Sequence, residues 1–287
     1  MSAQPLRLDF VESGIDYITC TETGKGKNGK LMIPAERIMR AEARQGNEIR
    51  GWRMEGYSGF RCGQIEVGER HDGSIVRMSG SCANENWKKV FSVATNCSRL
   101  DLQATYRPSI DVEKFIRRNL RAMLKWSNAD AKRACVDFKF NNRKGTTLYS
   151  GVRSSAEYLR MYDKFMESHL EWYRGCVRLE AELKARLAQS IALQLFRSRS
   201  PQPSIVAGVR QCFSDRGAVC LGRSESLLEF TVRRRRSDRD RYLTWLKEAV
   251  RPGVQKIVAA GDIDEVLLAL DLAHLRQTKP TRLRRVS

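Results

Sequence analysis

Residues 157–164 read "EYLRMYDK" and residues 178–183 read "RLEAEL". Taken with the two-residue period of a strand, the first puts Tyr158, Arg160, Tyr162 and Lys164 on one face and Leu159 and Met161 on the other. The second divides in the same way, into Arg178, Glu180 and Glu182 against Leu179, Ala181 and Leu183. A third stretch, "RLDLQ" at 99–103, sets Arg99, Asp101 and Gln103 against Leu100 and Leu102. Strands with one apolar and one ionisable face suit a sheet that helices cover on one side only.

Working outward, the flanking sequence supplies both the other strands and the helices. "GIDYITCT" (14–21) alternates, and "PAERIMRAEARQ" (34–45) opens with proline and carries helix formers. "IRGWRMEGY", "FRCGQIEVGER" and "GSIVRMSGS" read as three strands separated by Gly-containing or Asp-Gly turns, the punctuation of an antiparallel sheet. Trp87, Val90, Phe91 and Ala94 recur at helical spacing, and Asp111 caps a helix whose apolar face carries Val112, Phe115, Ile116, Met123 and Leu124. "ACVDFKF" and "TTLYSG" are further strands, and "LKARLAQSIALQLFRSRS" is helical. The fold class is α+β: an antiparallel sheet with helices packed on one face, followed by a smaller helical C-terminal region. "SPQPS" (200–204) marks the boundary, giving one domain over 1–199 and a basic helical region over 205–287 with a disordered tail from about 276.

The 287 residues include 52 Lys+Arg and 33 Asp+Glu, a net charge of +19, yet 41% of them are hydrophobic. That is too apolar for a disordered polycation and points to a polyanionic partner, nucleic acid before anionic membrane. No run reaches the ~18 apolar residues of a membrane span, and the N-terminal residues lack the order of a signal peptide, so the expectation is a soluble, cytoplasmic protein. The eight cysteines show no C-x-x-C and the three histidines are far apart, which gives a zinc site or a histidine-based triad no local support.

Carboxylates converging without histidine suit a hard divalent cation, Mg²⁺ or Mn²⁺. Beside a tyrosine, such a cation and neighbouring guanidinium groups suit phosphoryl transfer, with the phenol oxygen attacking a phosphodiester in line. Periodicity alone leaves a second reading open, because aromatic residues suit pleated surfaces and strand acids beside arginines form cross-strand ion pairs.

"RLDL" (99–102), "TTLYSGVRSSAEYLRMYDK" (146–164) and "WYRGCVRLEAEL" (172–183) resemble the ordered motifs of the replication initiation factor family, the rolling-circle plasmid initiators and related relaxases of conjugative elements. "IDYITCT" and "YLTWLKEAVRPGVQKIVAAGDIDEVLLAL" extend the resemblance over most of the chain. It implies a sequence-specific, metal-dependent nick in one strand of origin DNA, with a 5′-phosphotyrosine link and a 3′-hydroxyl primer, in a bacterial protein that acts as a homodimer. Tyr162 holds the place of the family's nucleophile, with Arg160 and Lys164 beside it and Arg153 from the preceding turn. Asp101, Glu180 and Glu182 fall on the acidic strand positions and become metal ligands, for Mg²⁺ or Mn²⁺.

One departure stands out. Where the plasmid initiators carry a second acid, this chain has Thr105, which leaves a leaner metal site or one that borrows an acid such as Asp16 from the first strand. Tyr149, Tyr158 and Tyr173 are other candidate nucleophiles. Tyr158 lies about 13 Å along the strand from Tyr162, too far for the same phosphate, and is instead a candidate to stack a base. Residues 191–287 hold 19 Lys+Arg and 10 Asp+Glu. Their densest part is Arg233, Arg234, Arg235 and Arg236 with Arg239 and Arg241, suited to phosphates of duplex DNA. A non-catalytic DNA-binding replication regulator, a relaxase for conjugative transfer and an RNA-binding protein are the alternatives.

Overall fold

The structure, a computed structural model, describes residues 7–23, 29–129, 136–141 and 145–218. Ten strands form one antiparallel sheet in the order β2-β3-β4-β5-β1-β6-β10-β9-β8-β7. Two long strands, β1 (Leu8–Thr23) and β6 (Asn96–Pro108), lie side by side at its centre. One meander flanks them on each side. The first comprises β2 (Ile49–Met54), β3 (Tyr57–Cys62), β4 (Ile65–Arg70) and β5 (Gly73–Ser79). The second comprises β7 (Val136–Asn141), β8 (Gly145–Ser150), β9 (Glu157–Asp163) and β10 (Val177–Lys184).

Helices α1 (Met32–Arg44), α2 (Gly80–Phe91), α3 (Val112–Ala129), α5 (Ala185–Arg197) and α6 (Pro201–Ser214) share one apolar core with the sheet. The one-sided reading of the strands is therefore realised: Leu100, Leu102, Leu159, Met161, Leu179, Ala181 and Leu183 are all fully buried. Each leucine so buried contributes about 1.5–3 kcal/mol. Asp111 caps α3 by accepting from the Lys114 amide at 3.0 Å.

Four details differ from the sequence reading. "FRCGQIEVGER" supplies parts of two strands, because Gly63 takes φ +53° and turns the chain between Cys62 and Ile65. "EYLRMYDK" stops being a strand at Asp163, whose side chain accepts from the Met166 amide and caps the short helix α4 (Lys164–Ser168). The prolines of "SPQPS" open α6, and Ile205, Val209 and Phe213 of that helix join the same core. The central strand β1 is bulged, with shifts in its pairing to β6 between Phe10 and Glu12, Ile15 and Tyr17, and Thr19 and Cys20. A bulge reverses the in-and-out alternation beyond it, so Glu12 and Tyr17, five residues apart, both reach the polar side.

The helices expected beyond Ala218, the arginine run at 233–241 and the tail lie outside the described residues. Among the described residues no helix is long and apolar enough to cross a membrane.

Candidate active site

The face of β6, β10 and β9 opposite the apolar core carries three ranks of side chains in register: Asp101, Glu182 and Tyr158; Gln103, Glu180 and Arg160; Thr105, Arg178 and Tyr162. Asp101, Glu180, Glu182 and Arg178 are each no more than 5% exposed. Charges this deeply buried require partners, and each rank supplies its own.

In the first rank the Arg99 guanidinium donates to both oxygens of Asp101, at 2.9 and 2.6 Å, and to Glu182 at 3.1 Å. Lys184 pairs with the other Glu182 oxygen at 2.8 Å. In the second, Arg160 forms an ion pair with Glu180, and the Tyr162 hydroxyl donates to Glu180 Oε1. The Gln103 Oε1 beside them is buried without a hydrogen-bond partner. In the third, Arg178 donates from Nε to Thr105 Oγ1 at 3.0 Å and from Nη2 to Glu12, whose carboxylate also accepts from the Tyr173 hydroxyl at 2.8 Å.

These surroundings set the protonation behaviour. Burial raises the Glu180 carboxyl above its ordinary value against the opposing pull of Arg160, with the charge of Asp16 adding to the rise. Burial and then the Glu180 charge hold the Tyr162 phenol far above the ordinary tyrosine value, with Arg178 pulling the other way. Burial and the Glu180 charge keep the phenol protonated at neutral pH, and its hydroxyl donates to that carboxylate, the placement of a phenol beside a candidate base. Arg160 and Arg99, with side chains 28% and 29% exposed, mark where the face opens to solvent.

The structure thus brings Tyr162, Arg160 and Glu180 together, with Asp101 and Glu182 in the adjacent rank. Lys164 departs from the strand parity because it begins α4: its ammonium pairs with Glu167 and lies 5.5 Å from the Tyr173 ring centroid. Arg153 has an exposed side chain in the turn before β9, and its charge acts on Tyr158. Tyr158 stacks on Tyr149 with ring centroids 5.8 Å apart. Arg99, Arg178 and Glu12 are missing from the sequence-derived site. The first two were legible on the polar faces, whereas Glu12 reaches the site through the bulges of β1. It stands in register with Thr105, so the first strand does lend an acid at the departure, from Glu12.

Asp101, Glu180 and Glu182 do not form a metal-binding group as they stand. Among the described residues no three His, Cys, Asp or Glu side chains are placed to hold an ion. Arg99 bridges the two carboxylates that face each other, taking the place of a bridging cation.

The antiparallel sheet thus carries a phenol, carboxylates and guanidinium groups together on the face opposite its apolar core. The chain belongs to the replication initiation factor family, whose model matches residues 95–268. Among solved structures, the rolling circle replication initiator protein from Geobacillus stearothermophilus is similar at 20% sequence identity and a TM-score of 0.49, over 71% of this chain and 85% of that one. No curated protein matches the chain.

Proposed function

We propose that the protein initiates rolling-circle replication by nicking one strand of origin DNA with Tyr162 as nucleophile. The observation that carries this reading is the hydrogen bond from the Tyr162 hydroxyl to Glu180, flanked by Arg160 and Arg178. The phenol oxygen attacks phosphorus, its proton passes to Glu180, and the bond from phosphorus to the 3′ oxygen breaks. The strand ends as a 5′-phosphotyrosine and, once the leaving oxygen takes a proton, a free 3′ hydroxyl. Arg160, open to solvent and able to swing from Glu180 to a non-bridging oxygen, offsets charge in the transition state. Return attack by a 3′ hydroxyl regenerates the phenol with the proton held on Glu180, which makes the step reversible.

No step is assigned to a metal ion, since Arg99 and Lys184 already neutralise Asp101 and Glu182. Duplex contact is assigned to Arg233–Arg236, Arg239 and Arg241. The test is incubation of purified protein with supercoiled plasmid carrying its cognate origin, with Mn²⁺ and with chelator. A nicked circle bound covalently to protein is expected. The second reading, a DNA-binding replication regulator without a nick, draws on the same burial that keeps the Tyr162 phenol protonated, and origin binding with no adduct under either condition would favour it.

A further inference from the structure

The polar face does not end at β6. Across β1 the rank continues through Thr19, which stands opposite Arg99 on one side and Arg77 on the other. Beyond it lies an open groove of about 480 Å³. Its lining sets Arg99 over Tyr17 at 4.2 Å and Arg70 over Tyr57 at 4.6 Å, and Arg77, also in the lining, lies 5.5 Å from the ring of Trp52 on the adjoining β2. Among the described residues one carboxylate, Glu55, lines it; that side chain is 62% exposed and pairs with Arg77 at 3.2 Å, while Arg70 pairs with Asp72. The Arg77 Nε is buried with no hydrogen-bond partner, on a side chain that is 11% exposed. Gly68 leaves room for Trp52 to lie against the sheet, since a Cβ there would come within 2.6 Å of the indole.

We infer that this groove holds the single-stranded DNA flanking the scissile phosphate, an inference that rests on the proposed nicking function. Guanidinium groups alternating with aromatic rings are the chemistry of a single-strand track: cations for successive phosphates, ring and guanidinium faces for unpaired bases. A duplex offers no exposed base faces, and a small anion has no use for the rings. The groove meets the polar face at Arg99, which also pairs with Asp101 and Glu182; Tyr162 stands at the level of Thr105, about 20 Å further along β6, with about four strand spacings of about 4.8 Å each between β9 and β5. It lies almost wholly before residue 95, outside the part of the chain that the family model matches. The strands that carry it would hold the DNA strand several nucleotides away from the phosphate at Tyr162.

The test measures binding of the full-length protein to a fluorescein-labelled oligothymidine about 12 nucleotides long, at several salt concentrations. Arg70→Gln combined with Arg77→Gln should weaken binding by about tenfold or more and lower the salt slope by about 1.4, the value for two lost phosphate contacts on a single strand. Trp52→Ala should weaken it by about five- to a hundredfold, the range for one stacked base. It also provides an independent variant if the double one does not fold. Binding to a blunt duplex without the origin should be unchanged. Unchanged oligothymidine binding by folded variants, an equal loss on the duplex, or tighter binding of the matching oligouridine would overturn the assignment. Failure of the parent protein to form an origin adduct would remove the nick while leaving these affinities as they are, so the two readings fail separately.

Discussion

Tyr162 on β9 donates its hydroxyl hydrogen to Glu180 on β10, and Arg160 pairs with that same carboxylate from the neighbouring position on β9. One glutamate therefore joins the phenol to the guanidinium, and in the proposed reaction its taking the phenol proton would also release Arg160 from a charged partner. Nucleophile activation and phosphate binding would then be two consequences of a single proton transfer.

If Glu180 is the base, Glu180→Gln keeps a hydrogen-bond acceptor for Tyr162 but cannot take its proton. The rate of adduct formation should fall by about 10²–10⁴-fold, the usual range for a lost general base, while origin binding measured by gel shift stays level. Undiminished adduct formation would remove Glu180 from this role.

The pH dependence follows from the same pair. A base works only when ionised, and burial raises the Glu180 carboxyl above its ordinary value. Adduct formation in the parent protein should accordingly decline as pH falls through that raised value, at a higher pH than an ordinary glutamate would give. In Glu180→Gln this acid limb should vanish; its persistence would point to another group.

Arg99 occupies the space between Asp101 and Glu182. Arg99→Gln removes that cation and leaves two buried carboxylates facing each other, an arrangement that Mn²⁺ or Mg²⁺ satisfies. Mn²⁺ should raise the melting temperature of Arg99→Gln more than that of the parent. Equal shifts would show that the carboxylates already bind the ion with Arg99 in place, or that neither form binds it there.

How much of this was legible depended on whether local parity survived in the chain. Over β6, β9 and β10 it did, and the pairing of Glu180 with Tyr162 followed once the three strands proved adjacent. Lys164 was misplaced because the Asp163 cap ends the strand one residue before it, a competition between strand and helix start that alternation does not register. Glu12 was invisible for a different reason: the bulges of β1 shift its facing, and only the pairing with β6 shows it opposite Thr105. That Asp101 and Glu182 are joined by Arg99 was equally hidden. Arg99 and Asp101 sit two apart on one face in the sequence, but a guanidinium lying between strands is a matter of packing.

Glu12 also carries a stability prediction. Arg178 is buried and its Nη2 meets the Glu12 carboxylate, while the Glu12 side chain is 30% exposed. Glu12→Ala strands that guanidinium, and unfolding in urea should show a loss of about 2 kcal/mol, below the ~3–5 kcal/mol of a fully buried pair because solvent reaches Glu12. A loss indistinguishable from zero would mean that Thr105 and Tyr173 suffice to hold Arg178.

Whether Tyr162 forms the bond to DNA is decided by the covalent adduct on supercoiled origin plasmid, resolved by denaturing gel and located by mass spectrometry of the digested conjugate. The parent protein should carry the nucleotide on Tyr162, and Tyr162→Phe should bind the origin yet give no adduct. An adduct of undiminished yield in Tyr162→Phe, or one mapped to Tyr149, Tyr158 or Tyr173, would contradict the account.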